Sequence, residues 1–389
     1  MTGTRTMGAA AAAAVVLSAA PVWAQGPPYA FTKVQVAGAV QTEPTGINDS
    51  GVVAGTSWSS DGTIHAFTYK SGTFTSMDFP AAPYNWGFGI NNAGQLVGSY
   101  GFGPHGPWFG LITDGTTTTS YQYLGQQTDG RAINSSGQIV GEWDNGGPPE
   151  RGYLKSGDTY IGLDMPGALQ TYVLGINDAS SMTGSFLASD GRLHGFAYAG
   201  GTFKQIDALG AGQTFIGGLN NANAMVGYSQ NGTITHGFVM SGSRFRAFDV
   251  DFPGALMTKP WAINNNGQIV GSYTSPTCAL CGFIATPRTD VPPACDQTLT
   301  LGYSTGTLRL NFANFQASTP LTWSMWLLAL NTAVPLWSTS VSSIAPTSFQ
   351  IPLAVPSIGS VVAVSLLSGS DGSPVCVDYA SVNTNGTTP

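Results

Sequence analysis

The sequence predicts an all-β protein in which a six-bladed β-propeller of four-stranded blades is followed by a small β-sandwich. Three observations predict this fold. A seven-residue phrase recurs at an almost constant interval, glycine-rich turns divide each interval into short strands, and the composition changes after a proline-containing segment near residue 290. The 3.6-residue apolar period of a helical repeat is absent.

The recurring phrase is clearest as GINNAGQ at Gly89–Gln95, and its third residue is an asparagine in every copy. The copies of this residue, here called the repeat asparagines, are Asn48, Asn91, Asn134, Asn177, Asn220 and Asn264. They follow one another at intervals of 43 or 44 residues. A period of about 40–45 residues is typical of a propeller whose blades have four strands, whereas a β-helix coil is shorter.

Turn residues mark the strands within each period. Asp190-Gly191 and Gly200-Gly201 predict hairpin turns on either side of a strand at His194–Ala199. A fourth-strand pattern already occurs at Phe31–Val36, whereas the last third strand, Cys281–Thr286, has no fourth strand after it. The N-terminal strand is therefore expected to complete the sixth blade of a propeller over residues 29–287. This closure is expected to leave no strand edge open.

Residues 1–24 are predicted to be a secretory signal peptide. Arg5 supplies the positive charge, Gly8–Ala20 the apolar run and Val22-Trp23-Ala24 the cleavage site with its small residues. No later stretch reaches the roughly 18 apolar residues of a membrane span, so no membrane insertion is expected. We therefore predict a secreted protein, located in the periplasm or outside the cell.

The charge balance restricts the class of partner. Charged residues make up 8% of the chain, and the formal net charge is −7. An acidic protein of this kind is not expected to bind nucleic acid or anionic membrane surfaces.

Four cysteines in an exported chain predict two disulfides. Cys278 and Cys281 form a CxxC motif at a predicted hairpin, where facing strands come within disulfide distance. We favour a structural disulfide there over a redox or zinc motif.

The C-terminal part is predicted to be a separate domain. Residues 288–294 are interpreted as a linker, and residues 295–383 contain apolar runs that are broken by Gly, Pro, Ser and Asn. About seven short strands in such a length are typical of a β-sandwich. Cys295 and Cys376 lie at its two ends and are predicted to form a disulfide that ties the first strand to the last.

A resemblance to a known family rests on the predicted third strands. His65–Phe67, His194–Phe196 and His236–Phe238 carry a His-Ala-Phe or His-Gly-Phe motif at a set distance after the phrase. Together with the phrase, they resemble the HAF-repeat family of bacterial extracellular proteins over about residues 31–286. Three units depart from the motif, with Pro107-Trp108, Arg151-Gly152-Tyr153 and Cys281-Gly282-Phe283. The resemblance implies secretion and a repeat scaffold, and it implies no activity.

The three motif histidines do not predict a metal site. Strand spacing places histidines of neighbouring blades about 15 Å apart. Metal–nitrogen bonds of about 2.1 Å cannot bridge that distance. No metal and no other cofactor is predicted, and the histidines are interpreted as hydrogen-bonded packing residues.

Two positions near the start of each innermost strand differ from blade to blade. Five residues before the repeat asparagines stand Glu43, Trp86, Asp129, Tyr172, Phe215 and Lys259. Three residues before them stand Thr45, Phe88, Arg131, Leu174, Gly217 and Trp261. These side chains can converge at the mouth of a central channel, and aromatic rings among acids and bases are typical of a sugar or peptide site. The predicted ligand-binding residues are Glu43, Trp86, Phe88, Asp129, Arg131, Tyr172, Phe215, Lys259 and Trp261. The alternative is drift at exposed positions without a packing role.

Three functions remain open at this point. The first is a secreted, non-catalytic binding or scaffold module that holds an extracellular glycan or protein at the channel mouth. The second is a carbohydrate-active hydrolase or lyase that uses Glu43 and Asp129, since glycosidases need two carboxylates about 5–9 Å apart. The third is a purely structural cell-surface or matrix protein. No catalytic residue is predicted, because GxSxG, P-loop and calcium-loop motifs are absent.

Overall fold

The structure is a computed structural model that describes residues 29–208, 211–242 and 244–288 and, as backbone only, strands between residues 300 and 383. Every regular element in the described residues is a β-strand, so the prediction of an all-β fold is confirmed. The predicted signal peptide, the linker and Cys295 lie outside the described residues, and so does the side chain of Cys376. In the part that is described, no helix is long and apolar enough to cross a membrane.

The strands fall into six repeat units, each beginning with the strand that leads to a repeat asparagine. Unit 1 contains β2 (Gln41–Ile47), β3 (Val53–Trp58), β4 (Ile64–Lys70) and β5 (Thr73–Ser76). Unit 2 contains β6 (Tyr84–Ile90), β7 (Leu96–Gly101), β8 (Phe109–Thr113) and β9 (Thr118–Tyr121). Unit 3 contains β10 (Gln127–Ile133), β11 (Ile139–Asp144), β12 (Arg151–Ser156) and β13 (Thr159–Gly162).

The remaining units continue the same order. Unit 4 contains β14 (Gln170–Ile176), β15 (Met182–Leu187), β16 (Leu193–Ala199) and β17 (Thr202–Ile206). Unit 5 contains β18 (Gln213–Leu219), β19 (Met225–Asn231), β20 (Ile234–Ser241) and β21 (Arg244–Phe248). Unit 6 contains β22 (Met257–Ile263), β23 (Ile269–Ser275) and β24 (Cys278–Pro287).

The strand β1 (Tyr29–Val34) pairs antiparallel with β24, from Tyr29 opposite Pro287 to Val34 opposite Gly282. Within the units, successive strands are antiparallel neighbours. Single parallel bridges, Ile64 to Tyr84 and Thr235 to Met257, join units 1 and 2 and units 5 and 6 into eight-stranded sheets.

The expectation that no strand edge stays open is wrong. In the described residues no sheet closes on itself, and the outermost strands β5, β9, β13, β17 and β21 each pair with one neighbour. These strands are only four or five residues long. Short edge strands offer little template for pairing with another chain.

The repeat asparagines connect the units in a closed circuit of hydrogen bonds. The side-chain amide of Asn48 donates to the backbone carbonyl of Asn91, at 3.1 Å, and each later asparagine donates to the next. Asn264 returns to the carbonyl of Asn48 at 2.9 Å. In each unit the side-chain oxygen also accepts the amide four residues on, as Asn91 does from Gln95 at 3.0 Å. Only a side chain with both an acceptor and a donor can hold the turn and the neighbouring unit together.

The inner strands approach one another closely at small residues. A side-chain carbon on Gly46 would lie 2.5 Å from the carbonyl oxygen of Phe88, and one on Gly89 would lie 2.7 Å from the Cα of Ala132. The small residue two before each repeat asparagine is therefore required by backbone contact between units. Apolar side chains fill the space between adjacent sheets, as where Val140 and Leu154 of unit 3 pack with Val173 and Phe196 of unit 4.

Beyond residue 300 the chain forms two antiparallel sheets. One has the order β25 (Thr300–Ser304), β26 (Thr307–Phe312) and β29 (Thr347–Pro352). The other has the order β28 (Thr332–Ile344), β27 (Phe315–Ala329), β30 (Ser360–Ser368) and β31 (Pro374–Asn383). Seven strands agree with the expected number, although β27, with 15 residues, is not short. A face-to-face sandwich of these sheets stays a prediction.

Candidate functional site

A β-bulge in each unit sets the direction of the side chains at the channel mouth. In all six inner strands the pairing register shifts across the residue three before the repeat asparagine, for example between Gly87 and Gly89 in unit 2. The residues that stand five and three positions before each repeat asparagine are half-buried, and Gly217, which is buried, is the exception. An extra residue in one strand re-aims its side chain. Here it lets two positions of each unit face the axis.

These positions enclose a cavity of about 290 Å³, here called the mouth cavity. Its lining residues are Glu43, Trp58, Trp86, Phe88, Ser99, Trp108, Asp129 and Arg131, which belong to units 1, 2 and 3. Five of the nine predicted ligand-binding residues are among them. A cavity of this size is at the lower end of the range found for small-molecule sites.

The channel narrows below the mouth cavity. A space of about 70 Å³ is lined by Glu43 and by all six residues that stand three before the repeat asparagines. A further space of about 80 Å³ is lined by the aliphatic residues that directly precede these asparagines, such as Ile47 and Ile133. Since one water occupies about 30 Å³ of liquid, each of these spaces holds only a few waters. A ligand larger than that therefore has to enter from the mouth.

Tryptophan side chains form one wall of the mouth cavity. The rings of Trp86 and Trp108 lie 4.5 Å apart at an angle of 81°, and Tyr84 lies 6.4 Å from Trp108. Gly101 makes room for this arrangement, because a side-chain carbon there would lie 2.3 Å from the Trp108 ring. By strand register, Phe109 occupies the position that His65 has in unit 1, and Trp108 stands one residue earlier, at the position of Ile64. Trp108 therefore places an indole at the mouth from the residue just before the motif position.

An ion pair between the half-buried Arg131 and the buried Glu142 lies on the unit 3 side of the mouth cavity. The Nη2 and Nε atoms of Arg131 lie 2.5 and 2.7 Å from Oε1 of Glu142, and Nη2 lies 3.5 Å from Asp129. The guanidinium also lies 4.0 Å from the ring centre of Phe88. Burial raises the pKa of Glu142 to about 7, although Arg131 acts against the shift. Oε2 of Glu142 is buried without a hydrogen-bond partner in the described structure.

Glu43 lies where unit 1 meets unit 6. Its Oε1 accepts hydrogen bonds from Nε1 of Trp261 and from Oγ of Ser272, each at 3.0 Å. Burial raises the pKa of this carboxyl, and the two hydrogen bonds and the charges of Lys259 and Arg131 oppose the rise. Glu43 belongs to unit 1 and lines the mouth cavity, and its carboxyl is positioned by Trp261 and Ser272 of unit 6.

The other predicted residues lie outside the mouth cavity. Phe215 stacks on Tyr228 at 4.8 Å and meets Trp261 edge to face at 5.3 Å, while Nζ of Lys259 lies 5.0 Å from the Tyr228 ring. Trp261 reaches the mouth through its bond to Glu43. The hydroxyl of Tyr172 hydrogen-bonds with Gln170 and lies 3.5 Å from a Glu150 oxygen. The nine residues therefore comprise five that line the mouth cavity, a neighbouring group of Phe215, Lys259 and Trp261, and the separate Tyr172, instead of a single ring.

Five residues of the mouth cavity and its surroundings were not predicted from the sequence, namely Trp58, Ser99, Trp108, Glu142 and Tyr228. Three of these belong to a further axial position, eight residues after the repeat asparagines, which is occupied by Thr56, Ser99, Glu142, Ser185, Tyr228 and Ser272. Two of the short hydroxyls there bond the backbone of the next unit: Oγ1 of Thr56 donates to the carbonyl of Gly87 at 3.1 Å, and Oγ of Ser185 accepts from the amide of Ile216 at 3.2 Å. Glu142 and Tyr228 replace the Ser or Thr that the other units have at this position, and this difference in the sequence could have marked them as candidate site residues.

The motif histidines pair with aspartates 13 residues later. Nδ1 of His65, His194 and His236 lies 2.7–2.8 Å from Asp78, Asp207 and Asp249 respectively. In unit 3 an Arg151–Asp164 pair at 3.2 Å takes the same place. Among the described residues no group of three His, Cys, Asp or Glu side chains is arranged to hold a metal ion. Cys278 and Cys281 form the predicted disulfide, but both lie on β24, where they pair with Ser275 and Tyr273 of β23, so the bond does not link facing strands.

Comparison with known proteins gives structural likenesses only. No protein-family model matches the chain, and no curated protein matches it. A lectin of Aleuria aurantia in complex with Fucalpha1-6GlcNAc is 12% identical, with 66% of this chain and 99% of the lectin covered and a TM-score of 0.41. TolB from Acinetobacter baumannii is 12% identical over 74% of this chain and 77% of its own, with a TM-score of 0.41. The β-propeller domain of the Trilobed protease from Pyrococcus furiosus is 9% identical over 66% of this chain and 82% of its own, with a TM-score of 0.43. These values are too low to carry a functional argument, so the function is argued from the site itself.

Proposed function

We propose that this protein is a secreted, non-catalytic binding module that holds an extracellular glycan at the mouth of a six-bladed β-propeller. The closed circuit from Asn48 through Asn264 and back supports the count of six blades, and the pairing of β1 with β24 supports a sixth blade built from both ends of the repeat region. Membership of the HAF-repeat family is part of this proposal. So are export by residues 1–24 and a C-terminal sandwich domain over residues 295–383.

The observation that carries the proposal is the mouth cavity with its three tryptophans, two carboxylates and one guanidinium. The apolar faces of a pyranose ring pack on indole rings, which offer large rigid surfaces at little entropic cost. Sugar hydroxyls are donors and acceptors that match the groups of Glu43, Ser99 and Asp129. A concave apolar wall with a few converging polar groups is the usual composition of a small-molecule site.

A glycan array probed with residues 25–389 tests this function. We expect binding to a restricted set of glycans by the native protein and loss of that binding in the Trp86→Ala/Trp108→Ala variant. Phe102→Ala is the matched control, since Phe102 is an exposed aromatic of the same unit that does not line the mouth cavity. Absence of binding to every glycan would favour a purely structural surface or matrix role instead.

A second candidate function is cleavage of a polysaccharide, by hydrolysis or by elimination, with Glu43 and Asp129 as the catalytic carboxylates. Both carboxylates line the mouth cavity, and burial raises the pKa of Glu43, as a general acid requires. This candidate predicts turnover of a polysaccharide by the native protein and its loss in Glu43→Gln. If the native protein releases no reducing ends from any member of a polysaccharide panel, this candidate is excluded.

A further inference from the structure

The charge of the mouth cavity is unbalanced. Glu43 and Asp129 line it together with a single cationic residue, Arg131. The guanidinium of Arg131 is already bound to Glu142 at 2.5 and 2.7 Å, and one of its faces is covered by Phe88. The acids outnumber Arg131 even when Glu142 is protonated, because the carboxylates of Glu43 and Asp129 face the cavity beside this single cation, which lies 3.5 Å from Asp129. An anionic ligand would meet both of them without a free cation to bind.

The aromatic wall has the geometry that attracts a cation. Trp86 and Trp108 stand nearly perpendicular at 4.5 Å, and Trp58 also lines the cavity. An ammonium group is attracted to the negative face of an aromatic ring, most strongly to that of tryptophan, and the attraction grows when the site is desolvated. Lys259 does not supply the missing cation, since its Nζ lies 5.0 Å from the Tyr228 ring and the residue does not line the cavity.

We propose that the ligand of the mouth cavity carries a protonated amino group, held between the indoles of Trp58, Trp86 and Trp108 and the carboxylates of Glu43 and Asp129. This inference rests on the proposed glycan-binding function and narrows it to amino sugars with a free amine. The pyranose face packs on an indole, and the ammonium takes the position between the rings and the two acids. Acidic sugars are excluded by the same two acids.

A matched series of oligosaccharides tests this inference. Hexamers of β-1,4-linked glucosamine, N-acetylglucosamine and glucose share one backbone and differ only in the substituent at carbon 2. Calorimetric titration of the native protein is carried out at about pH 6, where an ordinary amine is protonated. We expect the glucosamine hexamer to bind about tenfold more tightly than the other two, which corresponds to about 1.4 kcal/mol. Tetramethylammonium and monomeric glucosamine serve as competitors that separate the amine alone from the sugar that carries it.

The variants distinguish a specific contact from general attraction to an acidic protein. Asp129→Asn is expected to weaken binding of the glucosamine hexamer about tenfold and to change binding of the neutral hexamers less than about twofold. Asp158→Asn removes the same charge at an exposed turn between β12 and β13 and is expected to change neither. An equal loss in both variants overturns the inference.

The outcomes also separate this inference from the proposed function. Equal affinity for the three hexamers, with loss of all binding in Trp86→Ala/Trp108→Ala, overturns the amine requirement and leaves the glycan site in place. Binding of an unrelated glycan on the array without binding of any hexamer has the same consequence. Absence of all glycan binding overturns both.

Discussion

The side-chain amide of Asn264 donates a 2.9 Å hydrogen bond to the backbone carbonyl of Asn48, which lies 216 residues earlier in the chain. This bond joins the last repeat unit to the first and completes the circuit that the other five asparagines form. The same two units meet again at the mouth, where Trp261 donates to Glu43 at 3.0 Å. The residues that join the ends of the repeat region therefore also position one carboxylate of the candidate site.

Replacement of Asn264 by alanine should destabilise the protein by about 1–3 kcal/mol. The change leaves the carbonyl of Asn48 and the amides of Asn266 and Gln268 without the partner that they have in the native protein. Urea denaturation followed by fluorescence measures the effect. Asn145→Ala, at an exposed loop position, is the control and should change stability by less than about 0.5 kcal/mol. Equal midpoints for the two variants would show that the circuit contributes no stability.

Removal of the Arg131 side chain should destabilise the protein, because the buried carboxyl of Glu142 then loses its ion-pair partner. The side chain of Glu142 is only 7% exposed, and Arg131→Ala leaves it without its cation, which we expect to cost about 3 kcal/mol. Arg131→Ala/Glu142→Gln should recover part of this loss, since no charge is then left buried. A double-mutant cycle by urea denaturation measures the coupling. Additive effects of the two single changes would contradict the assignment of this pair as a buried unit.

The pair of His236 and Asp249 should make stability depend on pH in a defined direction. The hydrogen bond that His236 makes to the carboxylate of Asp249 raises the folded-state pKa of His236, while burial acts against the rise. A raised histidine pKa gives stabilisation that is fully present below about pH 6.5 and is lost as the pH rises through the folded-state value. The free energy of unfolding should therefore fall more steeply across this window in the native protein than in His236→Gln.

Ring-proton NMR titration checks the same point directly, because the chain has only four histidines. Each resonance is assigned by the loss of one signal in a single His→Gln variant. His105→Gln, at an exposed loop position, is the matched control for the loss of one imidazole. A titration midpoint of His236 at or below the ordinary value would contradict this account.

Much of the architecture was predictable because each repeat asparagine has a physical task that no other residue performs. Its spacing predicted the order of the inner strands, and the structure adds the reason for the small residue two before it, since Gly46 and Gly89 lie in close backbone contact with the next unit. Strand ends were less predictable. The strand expected at His194–Ala199 begins at Leu193, because pairing of Leu193 with Leu187 extends it by one residue.

The candidate site was predictable only in part. Trp86 and Asp129 could be found because they stand at a varied position of a regular strand, and both line the mouth cavity. Trp108 could not be found in the same way, since it lies just before β8 and not on the innermost strand. Its ring reaches the cavity because Gly101, against which it packs, has no side chain. The bulge at the residue three before each repeat asparagine has no sequence marker either, because residues as different as Phe88 and Gly217 occupy it.

The central claim is that the mouth cavity is the binding site, and a titration of paired variants tests it most directly. Residues 25–389, the Trp86→Ala/Trp108→Ala variant and the Phe102→Ala control are titrated with the glycan that binds best on the array. We predict that the dissociation constant rises at least about tenfold in the double variant and stays within about twofold in the control. Circular dichroism checks that all three proteins are folded. Unchanged affinity in the folded double variant would contradict the claim.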